Sequence, residues 1–250
     1  MSEYHGKFVW YELITPDPAA AAAFYHDVIG WEARDAGLDG MAYTLFYAAG
    51  NHVAGMLAAP EGSHHGWLGY LDVDDIDVSS RQISDAGGKI HRPTSEISGI
   101  GKFAVVADPQ GAAFVLFQRQ ITDPPHDSLE PGHIGWHELY ALDNDAALAF
   151  YGKMFGWAGA GDFDMGPMGK YLMFSTGGHA LGGMLNKPAT VPVTAWLYYF
   201  NVPSASAAVS KIEGAGGKVV HGPQEVPGGT WIVHGIDPQG IVFALSAPHR

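Results

Sequence analysis

Two glutamates have the residue type and spacing that acid–base chemistry requires. Glu12 and Glu138 each follow a tryptophan, Trp10 or Trp136, by two positions in the runs WYEL and WHEL. Because side chains alternate between the two faces of a strand, each glutamate is expected to share a face with its tryptophan. A carboxylate among aromatic side chains is expected to have a raised pKa and could transfer protons as a general acid or base. The alternative is a structural role, in which each glutamate pairs with an arginine, with a backbone amide or with a residue at the interface between the modules.

Other side chains are predicted to line a ligand pocket beside each glutamate. Trp10 and Trp136 could stack on flat or apolar groups, although ordinary core packing would also explain them. Tyr70 and Tyr199 fall on a predicted strand near the pocket mouth. A phenol there could donate a hydrogen bond to a carbonyl group, unless both are amphipathic surface tyrosines. The remaining predicted lining residues are apolar: Leu68, Leu197, Val115 and Phe117.

Histidine is frequent, with 13 residues, whereas cysteine is absent. The absence of cysteine excludes disulfides, thiolate metal sites and a cysteine nucleophile. A displaced metal site remains open as an alternative, built from Glu12 or Glu138 with His52 or His179. The main prediction is that neither a metal nor another cofactor is bound. Several histidines are predicted to lie in loops or at termini: His64, His65, His126, His221 and His249.

The chain repeats itself once, which places these residues in two equivalent modules. Further repeated motifs follow in the same order at offsets of 126 to 129, namely FY at 24 and 150, GW at 30 and 156, GML at 55 and 183, AGGK at 86 and 215, and DPQG at 108 and 237. Such an ordered series indicates a tandem duplication. Residues 1–121 and 133–250 are predicted to be the modules, joined by a proline-rich linker at 122–132. The duplication could also be purely architectural, with one half covering the other's sheet.

Each module is predicted to combine short strands with two helices in an α+β fold. Asp17 is expected to cap a helix that begins at Pro18 and ends near Gly30, and Asp143 takes the same place in the second module. A hairpin is predicted to turn at Gly50-Asn51. Each module then reads β-α-β-β followed by β-α-β-β, with mixed sheets and helices on one face. The predicted strands of the first module span 7–15, 43–48, 52–57, 67–73, 102–107 and 112–118, and its second helix spans 76–86.

The composition is that of a folded, acidic protein. Of its 250 residues, 47% are hydrophobic and 16% are charged, and the formal net charge is −13. This charge repels phosphate backbones and anionic membranes, so no nucleic-acid or membrane partner is expected. Neither an apolar run of about 18 residues nor a signal-peptide pattern is found. A cytoplasmic protein, either a monomer or a homodimer, is expected.

The order of these motifs resembles the vicinal oxygen chelate superfamily, which includes glyoxalases, bleomycin-resistance proteins and dioxygenases. The motifs that carry the resemblance are a capped FY…GW helix, a VDD helix ending in AGG, and a DPQG turn before the last strand. The likeness covers nearly the whole chain, twice. It implies two tandem glyoxalase-like modules built from βαβββ units, whose mixed sheets curl into partial barrels.

Metal-dependent members of this family resemble one another in three ligand positions. These lie seven residues before the helix-capping aspartate, on the strand leading into the second helix, and seven residues after the DPQG aspartate. None of the residues at the corresponding positions of this chain has an imidazole, carboxylate or thiolate group, so the usual metal site is expected to be lost. A shift of one position would still leave few candidate ligands, since it brings in only Tyr11, Trp67, Phe114 and Leu116. The corresponding residues are Trp10, Leu68 and Val115 in the first module and Trp136, Leu197 and Ala244 in the second.

The resemblance implies a protein that binds a small molecule in each module. The leading prediction is a metal-independent, glyoxalase-like enzyme in which Glu12 or Glu138 transfers a proton. Its activity would be that of a lyase, an isomerase or an oxygenase-like enzyme on a small oxygenated or aromatic compound. The first alternative is a binding protein that sequesters an antibiotic or metabolite. The resemblance to the bleomycin-resistance branch of the family implies such a role. The second is an interaction protein with a degenerate site.

Overall fold

The computed structural model describes residues 3–38, 40–60, 62, 64–120 and 129–250. Within these residues the chain forms two eight-stranded sheets and four α-helices. The α+β class and the two tandem modules of βαβββ units are therefore confirmed. Residues 122–128 of the predicted linker, His126 included, lie outside the described residues.

The first module consists of two βαβββ units in succession. In each unit a strand leads into a helix, and three further strands follow the helix. The elements in chain order are β1 (Phe8–Thr15), α1 (Pro18–Ile29), β2 (Glu32–Asp35), β3 (Tyr43–Ala48), β4 (Asn51–Ala58), β5 (Gly66–Asp72), α2 (Ile76–Asp85), β6 (Lys89–Ile97), β7 (Gly101–Ala107) and β8 (Ala113–Arg119).

The second module repeats the same succession, with one short 3₁₀ helix (Gly166–Met168) inserted before its third strand. The elements in chain order are β9 (Ile134–Ala141), α3 (Asn144–Phe155), β10 (Ala158–Asp164), β11 (Lys170–Thr176), β12 (His179–Asn186), β13 (Ala195–Asn201), α4 (Ala205–Gly214), β14 (Lys218–Glu225), β15 (Trp231–Ile236) and β16 (Val242–Ala247).

The two sheets have the same topology, strand for strand. Their orders are β2-β3-β4-β1-β5-β8-β7-β6 and β10-β11-β12-β9-β13-β16-β15-β14. Strand β1 pairs in parallel with β4, and β5 pairs in parallel with β8, whereas the hairpins pair antiparallel. The sheets are thus mixed. The strands that carry Glu12 and Glu138 lie at the centre of their sheets.

Both helices that follow these central strands begin and end where local sequence signals predict. Asp17 caps α1 by accepting a hydrogen bond from the Ala20 amide, and Asp143 caps α3 through the Ala146 amide. Gly30 ends α1 in the left-handed conformation with φ of 93°. An aspartate cap satisfies an otherwise unpaired amide, and glycine adopts positive φ without a steric cost.

The strand that follows each helix was missing from the sequence prediction. These four strands, β2, β6, β10 and β14, form the ends of the two sheets. Every residue of β2 and β10 is exposed, and β6 is a largely polar run that contains Pro93. Strands without a buried face lack the alternation of apolar and polar residues by which strands are recognised.

The turn between β3 and β4 lies one residue earlier than predicted. Ala49 and Gly50 occupy it with φ of 48° and 87°, and Asn51 is already the first residue of β4. Two successive positive φ values match the type I′ turn of two-residue hairpins. The predicted turn at Gly50-Asn51 was wrong. Asparagine adopts positive φ more readily than alanine, yet the turn uses Ala49 together with Gly50.

The chain clusters into two compact units, each of which combines parts of both modules. The first unit comprises Met1–Val9, Leu68–Pro125 and Trp136–Trp196. The second unit comprises Trp10–Trp67, His126–Gly135 and Leu197–Arg250. No helix in the part of the chain that the structure describes is long and apolar enough to span a membrane.

A buried aromatic cluster forms the core of the second unit around Tyr25. The Tyr25 hydroxyl accepts a hydrogen bond from Trp67 Nε1 at 3.0 Å and donates one to Asp237 Oδ2 at 3.2 Å. Rings from both modules surround it at centroid distances of 5.4 to 6.3 Å. These rings are Trp31, Phe46, Trp67, Phe200 and Phe243.

The first unit contains the same arrangement with the modules exchanged. The Tyr151 hydroxyl accepts from Trp196 Nε1 at 3.0 Å and donates to Asp108 Oδ2 at 3.0 Å. The repeated FY and DPQG motifs are thereby explained by packing, as are Trp67 and Trp196, which lie 129 positions apart. Among the repeated motifs, the tryptophan and glutamate of WYEL and WHEL take no part in these two networks.

Candidate functional site

Trp10 and Glu12 lie on the same face of β1, as their spacing predicts. Along β1, Trp10 and Ile14 are partly exposed, whereas residues 11 to 13 and Thr15 are buried, Leu13 and Thr15 fully. Glu12 is only 8% exposed, whereas Trp10 is half-buried. Glu12 pairs in register with Gly55 of β4. A carboxylate is therefore held against the middle of the sheet beside a partly accessible indole ring.

A chain of two hydrogen bonds joins Trp10 to Glu12 through Tyr43 of β3. Trp10 Nε1 donates to Tyr43 Oη at 3.1 Å, and Tyr43 Oη donates to Glu12 Oε1 at 3.0 Å. The Tyr43 ring crosses Gly55, where an added Cβ would overlap the phenol. Glycine is therefore required at position 55 if the phenol is to reach the glutamate. Trp10, Tyr43 and Glu12 are called the Glu12 cluster below.

The second module repeats this arrangement. Trp136 Nε1 donates to Tyr171 Oη at 2.8 Å, and Tyr171 Oη donates to Glu138 Oε2 at 3.0 Å. Gly183 makes room for the Tyr171 ring as Gly55 does for Tyr43. Glu138 is 7% exposed, and its register partner is Gly183. Trp136, Tyr171 and Glu138 are called the Glu138 cluster below.

Burial and the neighbouring carboxylate keep these phenols protonated. Burial raises the pKa of Tyr43 well above its usual value of 10, and the charge of Glu12 raises it further. Burial likewise raises the pKa of Tyr171, with a further contribution from Glu138. A protonated phenol is a hydrogen-bond donor, and donation to a carboxylate stabilises the ionised carboxylate. Each glutamate is therefore held as an oriented acceptor.

The two clusters differ in one additional phenol. Tyr140 follows Glu138 by two residues on β9, and its pKa is raised first by burial and then by the charge of Glu138 and a hydrogen bond to it. The residue at the matching position of the first module is Ile14. Glu138 therefore has two phenolic donors, Tyr171 and Tyr140, whereas the position of the second donor is apolar beside Glu12.

Tyr43, Tyr171 and Tyr140 were missed by sequence reasoning. The first two could have been found, because Tyr43 and Tyr171 are separated by 128 positions, the same offset as the GML repeat. Pairing of their strand with the one that carries glycine then brings the phenol over that glycine. Tyr140 has no counterpart in the repeat, so only its spacing from Glu138 indicates its role.

The other predicted lining residues have different neighbours. Tyr70 is buried, packs edge-on against Phe117 at 5.6 Å and pairs in register with Val115. Tyr199 is buried and hydrogen-bonds to His234 at 2.8 Å. Leu68 is half-buried and Leu197 is buried. Glu12 and Glu138 are thus each joined to their own tryptophan. Tyr70 and Glu138 belong to different sheets, and so do Tyr199 and Glu12.

The residues that the resemblance assigns to the family's metal positions do not offer ligands for a divalent ion. Indole, isobutyl, isopropyl and methyl groups occupy them, and none of these groups is a ligand. Of the displaced alternatives, His52 lies 5.6 Å from the Trp10 ring between centroids, and His179 is exposed at the start of β12. Across the described ranges, no three histidine, aspartate or glutamate side chains are grouped so that they could hold a metal ion.

A cleft of about 400 Å³ lies in the first unit, away from the Glu138 cluster. It is bordered by the DPQG turn, including Asp108 and Gln110, and by Phe150 and Lys153 of α3. None of the three cluster residues lines it. The repeated hydrogen-bonded geometry, rather than this cleft, therefore identifies the candidate site.

Comparison with known proteins identifies the family to which this chain belongs. Residues 7–116 and 132–245 match the sequence model of the Glyoxalase/Bleomycin resistance protein/Dioxygenase superfamily. The chain is 30% identical to "Putative glyoxylase CFP32" of Mycobacterium bovis, over 99% of this chain and 97% of that protein. It is also 30% identical to "Anthracycline biosynthesis protein DnrV" of Streptomyces peucetius, over 96% of this chain and 92% of that protein.

Solved structures share the fold at low sequence identity. The 2,2',3-trihydroxybiphenyl 1,2-dioxygenase of Sphingomonas wittichii strain RW1 superimposes with a TM-score of 0.69 at 12% identity, covering 98% of this chain and 91% of that chain. The Mn(II)-bound glyoxalase of Novosphingobium aromaticivorans gives a TM-score of 0.64 at 17% identity, covering 98% and 82%. At such identities the likeness concerns the fold.

Proposed function

Because this chain belongs to the Glyoxalase/Bleomycin resistance protein/Dioxygenase superfamily, we propose that it acts on a small oxygenated aromatic molecule beside its glutamates without a metal at the family's ligand positions. Trp10 and Trp136 stack on the flat part of the ligand. Glu12 or Glu138 accepts a proton from an acidic C–H or O–H group of that ligand. The reaction is of the lyase, isomerase or oxygenase-like type.

The observation that carries this proposal is the phenol-to-carboxylate hydrogen bond, 3.0 Å long in both modules. Any buried carboxylate needs a hydrogen-bond donor, but here the donor is a phenol that is itself bonded to an indole and lies over a glycine, in the same way in both modules. Such an array fixes a carboxylate in one orientation, which proton transfer to a bound ligand requires. Aromatic surface at Trp10 and Trp136 supplies binding area next to that carboxylate.

The class of ligand is proposed from the relatives and the tryptophans together. One relative is named for anthracycline biosynthesis, and anthracyclines are flat, oxygen-rich aromatic compounds. Indole rings favour such flat surfaces, and a carboxylate accepts hydrogen bonds from their hydroxyl groups. We therefore expect hydroxylated polycyclic aromatics to bind more tightly than small aliphatic dicarbonyl compounds.

Sequestration of the ligand without turnover is the second candidate, and the extra phenol beside Glu138 favours it in the second module. A carboxylate that accepts hydrogen bonds from both Tyr171 and Tyr140 is a weaker base, because protonation would cost it those charge-assisted bonds. Ile14, at the position equivalent to Tyr140, cannot donate such a bond to Glu12, so we propose Glu12 as the proton acceptor. We therefore assign catalysis to the first module and binding to the second.

Fluorescence and thermal unfolding of the EDTA-treated protein test the proposal, with a hydroxylated anthraquinone as the probe. The probe is expected to quench tryptophan fluorescence and, at 100 times its dissociation constant, to stabilise the fold by about 2.7 kcal/mol. Product analysis by mass spectrometry then separates turnover from binding. Glu12→Gln is expected to reduce turnover by roughly 10²- to 10⁴-fold, the usual contribution of a general base.

Matched variants separate the roles of the residues. Glu138→Gln is expected to weaken probe binding with little effect on turnover, and Tyr43→Phe to reduce turnover less than Glu12→Gln does. Recovery of unchanged probe from every variant would favour sequestration. If Glu12→Gln and Glu138→Gln both fail to fold, the glutamates are structural and the proposal is wrong.

A further inference from the structure

Four side chains form a lateral row across neighbouring strands of the second unit. Tyr199 of β13 pairs in register with Ala244 of β16, Ala244 pairs with His234 of β15, and His234 pairs with His221 of β14. Ala244 is too small to separate its neighbours, so the Tyr199 hydroxyl reaches across it to His234 Nε2 at 2.8 Å. One end of the row therefore consists of two facing imidazoles, one of which is hydrogen-bonded to a buried phenol.

The sequence prediction of a loop at His221 was wrong. His221 lies within β14, and irregularities in strand register flank it on both sides. Such bulges redirect a side chain, and here they place His221 opposite His234. The polar, exposed character of this edge strand, with Pro223 in it, concealed its strand character.

The spacing of the two imidazoles fits chelation of one ion. Their ring centroids are 5.1 Å apart and their planes are inclined by 47°. Two imidazoles bound to one tetrahedral zinc ion, with Zn–N distances of about 2.0 Å, have centroids roughly 5 Å apart. We propose that His221 and His234 together bind a divalent transition-metal ion of the kind that prefers imidazole, such as Zn²⁺, Ni²⁺ or Cu²⁺.

Tyr199 completes the arrangement as a positioning residue. A histidine that binds a metal through one ring nitrogen usually hydrogen-bonds through the other, which fixes its orientation. When His234 binds the ion through Nδ1, its Nε2–H donates to the Tyr199 hydroxyl.

The first module lacks this site, although its row has the same register. Tyr70 pairs with Val115, Val115 with Val105, and Val105 with Arg92. Arg92 packs over the Phe103 ring at 4.7 Å. Two apolar residues and a cation cannot hold a metal, so the site belongs to the second module alone. Two protein ligands leave coordination positions open for water or for an oxygen atom of a small molecule.

Calorimetric titration of the metal-stripped, full-length chain with ZnCl₂ tests this site independently of the glutamates. His221→Asn and His234→Asn are each expected to weaken zinc binding roughly 100-fold, and Tyr199→Phe roughly tenfold, since loss of an orienting partner costs about that much. His91→Asn, at an exposed histidine of β6 in the first module, is the matched control and should leave the affinity unchanged.

Electron paramagnetic resonance of the Cu²⁺-loaded protein gives a second readout on the unmodified chain. Two imidazole nitrogens are expected around the copper ion. Zinc affinity unchanged in His221→Asn and His234→Asn, or a copper spectrum with fewer than two nitrogen ligands, would overturn the proposal. Neither result depends on the turnover assay of the Glu12 and Glu138 variants, so the two proposals fail separately.

Discussion

The Tyr25 hydroxyl donates a hydrogen bond to Asp237 at 3.2 Å, although 212 positions separate the two residues. Tyr25 belongs to the FY motif of the first module and Asp237 to the DPQG motif of the second. Asp237 also accepts bonds from the amides of Gln239 and Ile241 in its own turn. The aspartate therefore shapes the turn with one oxygen and holds the tyrosine of the other module with the second.

Removal of this hydroxyl is expected to destabilise the fold. Tyr25→Phe leaves the buried Trp67 indole N–H and one Asp237 oxygen without this partner, which should cost about 2 kcal/mol of unfolding free energy. Urea denaturation measures the change. Tyr151→Phe removes the equivalent bond to Asp108 and should cost a similar amount. A change below about 0.5 kcal/mol in both variants would show that the hydroxyl contributes only packing.

Gln110 and Gln239 offer an internal comparison, because the side-chain oxygen at this DPQG position has a hydrogen-bond partner among the described residues in only one module. Gln110 Oε1 accepts from the amides of Leu142 and Asp143 at 2.6 and 2.8 Å, and its Nε2 donates to the Asp143 carbonyl at 2.8 Å. The Oε1 atom of Gln239 is buried without a hydrogen-bond partner among the described residues.

Replacement of Gln110 should therefore be the more costly of the two. Gln110→Ala is expected to lower the unfolding free energy by about 1 kcal/mol, a modest value because water can replace part of these exposed bonds. Gln239→Ala should be neutral or slightly stabilising, since an unsatisfied buried oxygen is removed. Thermal unfolding of the two variants side by side decides the matter. Equal effects would contradict the assigned bonding.

Gly55 is expected to be essential for the geometry of the Glu12 cluster. In Gly55→Ala the added methyl group would overlap the Tyr43 hydroxyl, so the phenol must move away from Glu12. Overpacking of this kind costs about 1–3 kcal/mol and should weaken probe binding at the same time. Tryptophan fluorescence and urea denaturation report the two effects.

Gly214 provides the control for that substitution. It is the last residue of α4, and a Cβ added there meets no atom within 4 Å. Gly214→Ala should be neutral or stabilise the protein by about 0.5–1 kcal/mol, because alanine is the better helix residue. If Gly55→Ala behaves like Gly214→Ala, the phenol does not depend on the glycine.

The parts of this fold that could be predicted from sequence are those specified by neighbouring residues. Asp17 and Pro18 start α1 and Gly30 ends it, each through contacts with residues a few positions away. The sequence repeat then identified the equivalent helix, α3. Edge strands β2 and β10 could not be found, because neither has a buried face to produce a pattern. Their stability comes from pairing with β3 and β11, which is non-local.

The candidate site was predictable only in part, for the same reason. The spacing of Trp10 and Glu12 placed them correctly on one face, because alternation is a local property. The donor Tyr43 comes from another strand and depends on the register of β3 against β4. The pairing of His221 with His234 depends on two register irregularities, which no sequence period signals.

His137 is expected to make the fold less stable in acid. It is buried, stacks on Phe8 at 4.1 Å and hydrogen-bonds to the Leu181 carbonyl at 2.7 Å. Burial lowers its pKa from 6.5 to about 4. Between these two values the unfolded chain binds a proton that the folded chain does not. Stability must therefore rise with pH across this window, by about 3 kcal/mol from this group.

Unfolding free energies measured in urea from pH 4 to 7.5 check this contribution. Because asparagine places an amide N–H near the position of the Nδ1–H, His137→Asn should retain the bond to Leu181 while removing the titration. The unfolding free energy of the variant is expected to rise less steeply between pH 4 and 6.5. Above pH 6.5 it should level off, as it does in the wild type. Identical slopes for wild type and His137→Asn would mean that His137 takes up its proton in the folded state, which its buried stack against Phe8 opposes.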